Sequence, residues 1–134
     1  MLFNFKKKEL VQTKEYKKYD DKICVRIDEK TYRFLKQTTR SIAGLIRNLM
    51  NLDYKGEYWG ESVYSDKRKE RVLKMFTQKD LNDMDRGQWS EPKDKMITIY
   101  LYKQDKNLFI KRYGCLSNYI NDLLHRFILS LVEV

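Results

Sequence analysis

Residues 22–52, KICVRIDEKTYRFLKQTTRSIAGLIRNLMNL, carry a pattern of apolar positions that the chain repeats 74 positions later. The matched pairs are Ile23/Ile97, Val25/Ile99, Ile27/Leu101, Phe34/Leu108, Leu35/Phe109, Ile42/Leu116, Leu45/Tyr119, Ile46/Ile120, Leu49/Leu123 and Met50/Leu124. Apolar character is kept while most polar residues differ, which is typical of a duplicated structural unit whose surfaces have diverged. We therefore interpret the chain as two copies of one unit.

The apolar spacing changes period within the first unit, and this change predicts its structure. Residues 23–27 alternate apolar and polar side chains, which predicts a short half-buried strand. Asp28 is placed to cap a short helix from Glu29 to about Thr38. Ser41 is placed to cap a second helix, whose apolar residues follow the i, i+3, i+4, i+7 spacing. The predicted unit is strand, helix, helix.

The second unit repeats this order. It has a predicted strand over residues 96–102, a first helix over 103–112 and a second helix from 116 towards 128. Cys115 stands in the position of Ser41, which leaves Ser117 as the alternative cap. One unit alone would leave its strand unpaired and one apolar face uncovered. The duplication therefore predicts a mainly α fold with a two-stranded antiparallel β-ribbon, formed within one chain.

The strand-helix-helix order, with alternating polar residues on the strand and SIAGLIRNLM opening the second helix, resembles the ribbon-helix-helix family. This family includes the methionine, Arc and CopG repressors. The resemblance covers residues 22–52 and 96–126. It implies that the two ribbon-helix-helix units form an intramolecular pseudo-dimer whose ribbon enters the DNA major groove.

The resemblance assigns the outward residues of the two strands to base contacts. These residues are Lys22, Cys24, Arg26, Met96, Thr98 and Tyr100. Arg26 suits a bidentate guanine contact, a type worth roughly 1–3 kcal/mol of discrimination. Cys24, Met96 and Tyr100 depart from the polar residues expected there, and packing against another element is the alternative for them. An ordinary solvated sheet face shows the same alternation. Because the two strands differ, we expect an asymmetric DNA site.

Ribbon-helix-helix proteins bind the phosphates that flank the DNA groove through the first turn of each second helix. The corresponding residues are Arg40, Ser41, Ile42, Ala43, Cys115, Leu116 and Ser117. Helix N-termini offer free N–H groups and a positive dipole end to anions. Every capped helix has such an end, so an ordinary structural role is the alternative.

The net charge of +9 is distributed unevenly along the chain. Residues 1–20, 21–53 and 95–134 each carry +3, whereas residues 54–94 are neutral. The excess on the two units and the arm favours a polyanionic partner, and a merely solvated basic surface is the alternative. Within the basic N-terminal arm, Lys6, Lys7 and Lys8 suit phosphate or minor-groove contact, or belong to a frayed tail.

Residues 54–94 form an insertion that connects the two units. A loop rich in glycine and aromatic residues is followed by one predicted charged helix from Ser65, with Val72, Met75 and Phe76 as its apolar stripe. The C-terminal residues ILSLVEV, 128–134, are expected to extend the last helix into the core, with self-association as the alternative.

The composition contains little that points to an enzyme. The only histidine, His125, is expected on a helix surface, and the two cysteines show no metal-ligand spacing, so no cofactor or metal is expected. The unpaired cysteines and the lack of a signal peptide or membrane span indicate a cytoplasmic protein.

The leading prediction is a sequence-specific double-stranded DNA-binding protein, not an enzyme. It would act as a transcriptional regulator or as an accessory protein of plasmid or mobile-element transfer, in a conjugative relaxosome-like complex with a protein partner. The first alternative is a protein-interaction adaptor or antitoxin-like subunit. The second alternative is a small nuclease. Pairing of the strands within one chain predicts a monomer in isolation and leaves self-association on DNA open.

Overall fold

The fold is mainly helical with one two-stranded antiparallel sheet, as the duplication predicts. A computed structural model describes residues 19–57 and 66–132. In those residues the elements are β1 (Asp21–Ile27), α1 (Glu29–Thr38), α2 (Ile42–Lys55), α3 (Asp66–Met75), α4 (Gln78–Asp85), β2 (Lys95–Leu101), α5 (Lys103–Tyr113) and α6 (Leu116–Val132). Over the same residues, no helix combines the length and apolar character needed to cross a bilayer.

The two strands β1 and β2 pair along their whole length and form the ribbon. Their register places Cys24 opposite Thr98 and Val25 opposite Ile97. The inward residues are at most 8% exposed and form one side of the core; they are Ile23, Val25, Ile27, Ile97, Ile99 and Leu101. Alternating side chains in a strand point to opposite faces, so the polar residues between them face outward. This pairing confirms the predicted antiparallel ribbon.

The first unit is capped by the two residues that the sequence predicts. The Asp28 carboxylate accepts hydrogen bonds from the Thr31 backbone N–H at 2.9 Å, the Thr31 hydroxyl at 2.8 Å and the Trp89 indole N–H at 3.0 Å. Ser41 Oγ accepts from the Gly44 N–H at 2.9 Å and begins α2. The bonds from the Thr31 and Gly44 N–H groups satisfy one otherwise unpaired backbone donor in the first turn of each helix.

The second unit is capped differently. The Tyr102 side chain, at the position before α5, does not cap that helix. Instead Asp20, which precedes β1, accepts a hydrogen bond from the Lys103 N–H through Oδ1 at 2.7 Å. The Tyr119 N–H bonds to the Cys115 carbonyl at 3.0 Å, so α6 begins at Leu116. Ser117 therefore lies inside the first turn, and the alternative of a cap at Ser117 is wrong.

The described part of the insertion after residue 65 contains two helices where the sequence predicted one. The Thr77 hydroxyl accepts the Asp80 N–H and the Asp80 carboxylate accepts the Thr77 N–H, both at 3.0 Å. This reciprocal capping box starts a new helix, α4, so the single helix that the sequence predicted is divided into α3 and α4. Val72 and Phe76 are buried as predicted, while the predicted cap Ser65 lies outside the described residues.

Helix α6 is the centre of the core. Its buried face includes Phe127, Ile128 and Leu131, so the C-terminal apolar residues extend the helix into the core as predicted as far as Val132, the last described residue. Both insertion helices pack against α6, and α3 also packs against α1. His125 is half-buried beneath the Trp89 ring, with 6.1 Å between centroids, so its predicted place on an open helix surface is wrong. The insertion supplies the covering ring.

Stability should fall as the pH is lowered from about 7 to about 5, because His125 is held neutral. Burial lowers the pKa of His125, although Asp28 and Asp122 act in the opposite direction. The unfolded chain then binds a proton near its ordinary pKa of about 6.5, before the folded protein does. Urea denaturation at both pH values measures this loss. His125→Gln should show a smaller pH difference, and an equal difference in both proteins would contradict the role of His125.

Candidate nucleic-acid interface

The outer face of the ribbon brings together all six residues predicted to contact bases. Across the strands, Lys22 lies opposite Tyr100, Cys24 opposite Thr98 and Arg26 opposite Met96. Met96 is 54% exposed and Tyr100 is 40% exposed, so two of the residues that depart from the expected polar character still face outward. At the centre, Cys24 Sγ lies 3.8 Å from Thr98 Oγ1.

The ribbon has dimensions that suit a DNA groove. Seven residues per strand, at about 3.4 Å each, give a length of roughly 20 Å, and paired strands lie about 5 Å apart. The B-DNA major groove is about 12 Å wide and admits a two-stranded ribbon with its side chains. Neither strand has another sheet neighbour among the described residues, so the ribbon projects two edges and one outward face.

The start of α2 lies beside the Met96 end of the ribbon. An open groove of about 630 Å³ there is lined in part by Lys36, Arg40, Ile42 and Met96. The groove therefore joins part of the predicted phosphate site to part of the predicted base-contact face. The N–H groups of Ile42 and Ala43 precede the first intrahelical bond and are oriented along the helix axis. Two cations and a helix N-terminus make this end favourable for a phosphate.

The start of α6 has the same backbone geometry but different side chains. Cys115 is exposed, Leu116 is buried and Ser117 is half-buried, so only backbone groups and two small side chains are presented. The position 74 residues after Arg40 is Gly114, which carries no charge. The two predicted phosphate sites are therefore unequal, and the α2 end is the more cationic.

The opposite end of the ribbon carries a carboxylate. The Lys22 backbone N–H bonds to Asp21 at 2.7 Å and lowers the pKa of that carboxyl, and Lys106 adds to the effect. Lys106 Nζ also donates to the Lys22 carbonyl at 3.1 Å. Asp21 therefore stays ionised and offsets the charge of Lys106, which makes this end less attractive to an anion.

Two positioning residues were missed by the sequence interpretation. Arg47 of α2 donates to the Tyr100 carbonyl at 2.9 Å, and Asn121 of α6 donates to the Arg26 carbonyl at 3.0 Å. Each helix thus fixes the strand of the other unit behind one residue that is predicted to contact a base. Arg47 and Asn121 stand 74 positions apart, as do their two acceptors. Two polar residues at matched positions within the apolar repeat were the available signal.

The chain enters β1 against this same network. The Tyr19 ring lies 5.0 Å from the Tyr102 ring, and the Arg47 guanidinium lies 4.8 Å from the Tyr19 centroid. These contacts fix the last residues before β1 near Tyr100. The predicted arm contacts of Lys6, Lys7 and Lys8 lie outside the described residues.

Comparison with known proteins assigns no family to the chain. No family model matches it, and no curated protein or solved structure matches it either. Among residues 19–57 and 66–132, no group of three or more His, Cys, Asp or Glu side chains is arranged to hold a metal ion. We therefore infer a function from the ribbon and its flanking helices.

Proposed function

We propose that the chain is a single-chain ribbon-helix-helix pseudo-dimer that binds double-stranded DNA sequence-specifically, with the outer face of the ribbon in the major groove. The register of the ribbon carries this proposal. Cys24 and Thr98 are equivalent positions of the repeat and lie directly opposite each other. Ile23 pairs with Ile99, and Val25 pairs with Ile97. Because Ile97 is the repeat counterpart of Ile23 and Ile99 is that of Val25, exchanging the two units converts one pair into the other. Such reciprocity is the property of a two-fold interface.

The helix-to-strand bonds support the same arrangement independently of the sheet. Arg47 reaches across to Tyr100, and Asn121 reaches across to Arg26, so the two bonds exchange when the units are exchanged. A chance pairing of two strands would not require matched bonds from two different helices. The reciprocal bonds therefore favour one two-fold relationship for the strands and the second helices.

The side chains on the ribbon suit an asymmetric site. Arg26 presents a fork of donors for the O6 and N7 atoms of guanine, and Thr98 offers either a hydroxyl or a methyl group. Met96 and Tyr100 provide apolar surface for thymine methyl groups. Lys22 serves a base or a phosphate. Because Arg26 and Tyr100 are repeat counterparts with different chemistry, the two half-sites should differ in sequence.

The phosphate contacts come from the first turns of α2 and α6. The α2 end, with Arg40 and Lys36, should hold the flanking phosphate more strongly than the α6 end. A protein of this kind works by occupying its site. Occupying a DNA site is how a transcriptional regulator acts. It is equally how an accessory protein marks a plasmid or mobile-element site for DNA processing.

Selection of bound duplexes from a random pool tests the proposal, followed by affinity measurements over a range of salt concentrations. We expect an enriched asymmetric motif, and a log-log decrease of affinity with salt whose slope is about −0.9 per phosphate contacted. Enrichment of no duplex at low salt, together with a slope near zero, would contradict DNA binding. Metal-dependent cutting of the selected duplex would assign a nuclease instead.

A further inference from the structure

The first helix of one unit and the second helix of the other enclose a groove, and the insertion fills one such groove. Helices α3 and α4 cover the groove between α1 and α6. Phe76 packs edge-on against Phe34 with 5.8 Å between ring centroids. Lys30 Nζ and Asp80 Oδ2 form an ion pair at 2.6 Å across the same boundary. Phe34 is fully buried as a result.

Residues 19–57 and 66–132 leave the counterpart groove, between α5 and α2, open. It has a volume of about 410 Å³ and is lined by Asn51, Tyr54, Lys55, Asp105, Leu108 and Phe109. In the repeat these six positions correspond to His125, Ile128, Leu129, Thr31, Phe34 and Leu35 of the filled groove. Leu108 is 40% exposed and neighbouring Ile110 is 43% exposed, whereas Phe34, the counterpart of Leu108, is covered by the insertion. No described helix covers Leu108 in the way that α3 covers Phe34.

We propose that the groove between α2 and α5 docks an acidic amphipathic helix of a partner protein, which inserts an aromatic side chain against Leu108. The filled groove supplies the template, because it shows how this fold buries the same surface: a helix crosses the groove and an aromatic ring enters it. Helix-in-groove recognition uses such apolar anchors at helical spacing. The inference rests on the repeat relationship and not on DNA binding.

The charge of the open groove identifies the partner as acidic. Lys55 and Asp105 line this groove. Lys111 and Arg112 line an adjoining hollow that shares Tyr54 and Leu108 with the groove, so three cations stand against one carboxylate on this rim. The guanidinium of Arg112 is held 3.9 Å from the Tyr54 ring centroid and donates to the Tyr54 carbonyl at 2.6 Å. In the filled groove the positions of Lys55 and Lys111 are occupied by Leu129 and Gln37, which are uncharged.

The N-terminal segment and the insertion helices have the wrong charge for this rim. Residues 1–18 carry six lysines and two acidic residues. Residues 66–89, which contain the helices of the insertion, carry seven basic and five acidic residues. Both segments are net basic. Residues 57–65 carry two glutamates and no basic residue, but they number nine, fewer than the ten residues of the helix α3 that fills the matching groove. Charge and length together therefore favour an acidic helix from another protein.

A displayed library of 18-residue amphipathic helices, selected on the full chain, tests the docking site. The apolar anchor and the charges of the polar face are randomised in this library. We expect the enriched peptides to be acidic and to carry an aromatic anchor. Leu108→Glu and Lys111→Glu should each weaken their binding by about tenfold or more, the effect of losing a central anchor or a paired charge. Leu73→Glu, at a 56% exposed leucine on α3, is the matched control and should leave peptide affinity unchanged.

Three results would overturn the proposal. The first is enrichment of neutral or basic peptides, and the second is binding that is indifferent to Leu108→Glu. The third is self-association in sedimentation that Leu108→Glu abolishes, because the occupant would then be a second copy of this chain. Duplex affinity of Leu108→Glu should equal that of the unmodified chain, so the docking site and DNA binding can fail separately.

Discussion

Phe34→Ala is expected to lower the free energy of unfolding by about 3–5 kcal/mol, whereas Leu108→Ala at the matching repeat position should lower it by less than about 1.5 kcal/mol. Phe34 is fully buried beneath Phe76, and its removal leaves a cavity beneath the insertion. Leu108 is already 40% exposed, so its truncation removes less buried surface and opens no enclosed void. Urea denaturation of both variants measures the difference.

The comparison between these two variants is informative because they occupy equivalent positions. A change in midpoint at constant m-value would identify each loss as one of stability. If Leu108→Ala were as destabilising as Phe34→Ala, the groove between α2 and α5 would be covered in solution. The asymmetry between the two grooves, and the docking site inferred from it, would then be wrong.

Arg26→Ala is expected to reduce discrimination between the selected duplex and a random duplex by about 10- to 100-fold, equivalent to roughly 1–3 kcal/mol. The substitution removes the guanidinium but keeps the backbone carbonyl that accepts from Asn121 at 3.0 Å. The strand should therefore keep its position, and affinity for random duplex should change little. Fluorescence anisotropy with both duplexes at one salt concentration measures the two affinities.

The matched control is Arg86→Ala, which removes an exposed arginine at the end of α4 on the insertion. Both variants lose one positive charge, so a general electrostatic effect would appear in both. An equal loss of affinity for both duplexes in Arg26→Ala would assign Arg26 to phosphate contact. A loss of discrimination in Arg86→Ala would place part of the recognition surface on the insertion.

The predictable part of the fold consists of features set by local spacing. Alternation over residues 23–27 predicted which side chains are buried, and the caps at Asp28 and Ser41 follow from hydrogen bonds within three residues. The duplication extended the strand and helix predictions to the second unit, but its caps differ from those of the first unit. The six outward residues of the ribbon were predictable as a set for the same reason.

Most of the unpredicted features depend on residues far apart in sequence. Asp20 caps α5 across 83 positions, and Trp89 covers His125 from the insertion. The break between α3 and α4 was local, since Thr77 and Asp80 form the capping box, but a continuous charged pattern favoured one helix. Long-range contacts of this kind leave no periodic signal in a single chain.

The sequence by itself determined the strand-helix-helix units, the inner and outer faces of each strand and the concentration of positive charge on the two units and the arm. These depend on side-chain periodicity and composition, which are properties of short segments. Only the tertiary structure decided that Cys24 faces Thr98, because a two-residue slip would bury the same face of each strand. It also decided that the insertion helices α3 and α4 cover the groove between α1 and α6, because the side on which a connecting segment packs depends on contacts between residues far apart in sequence.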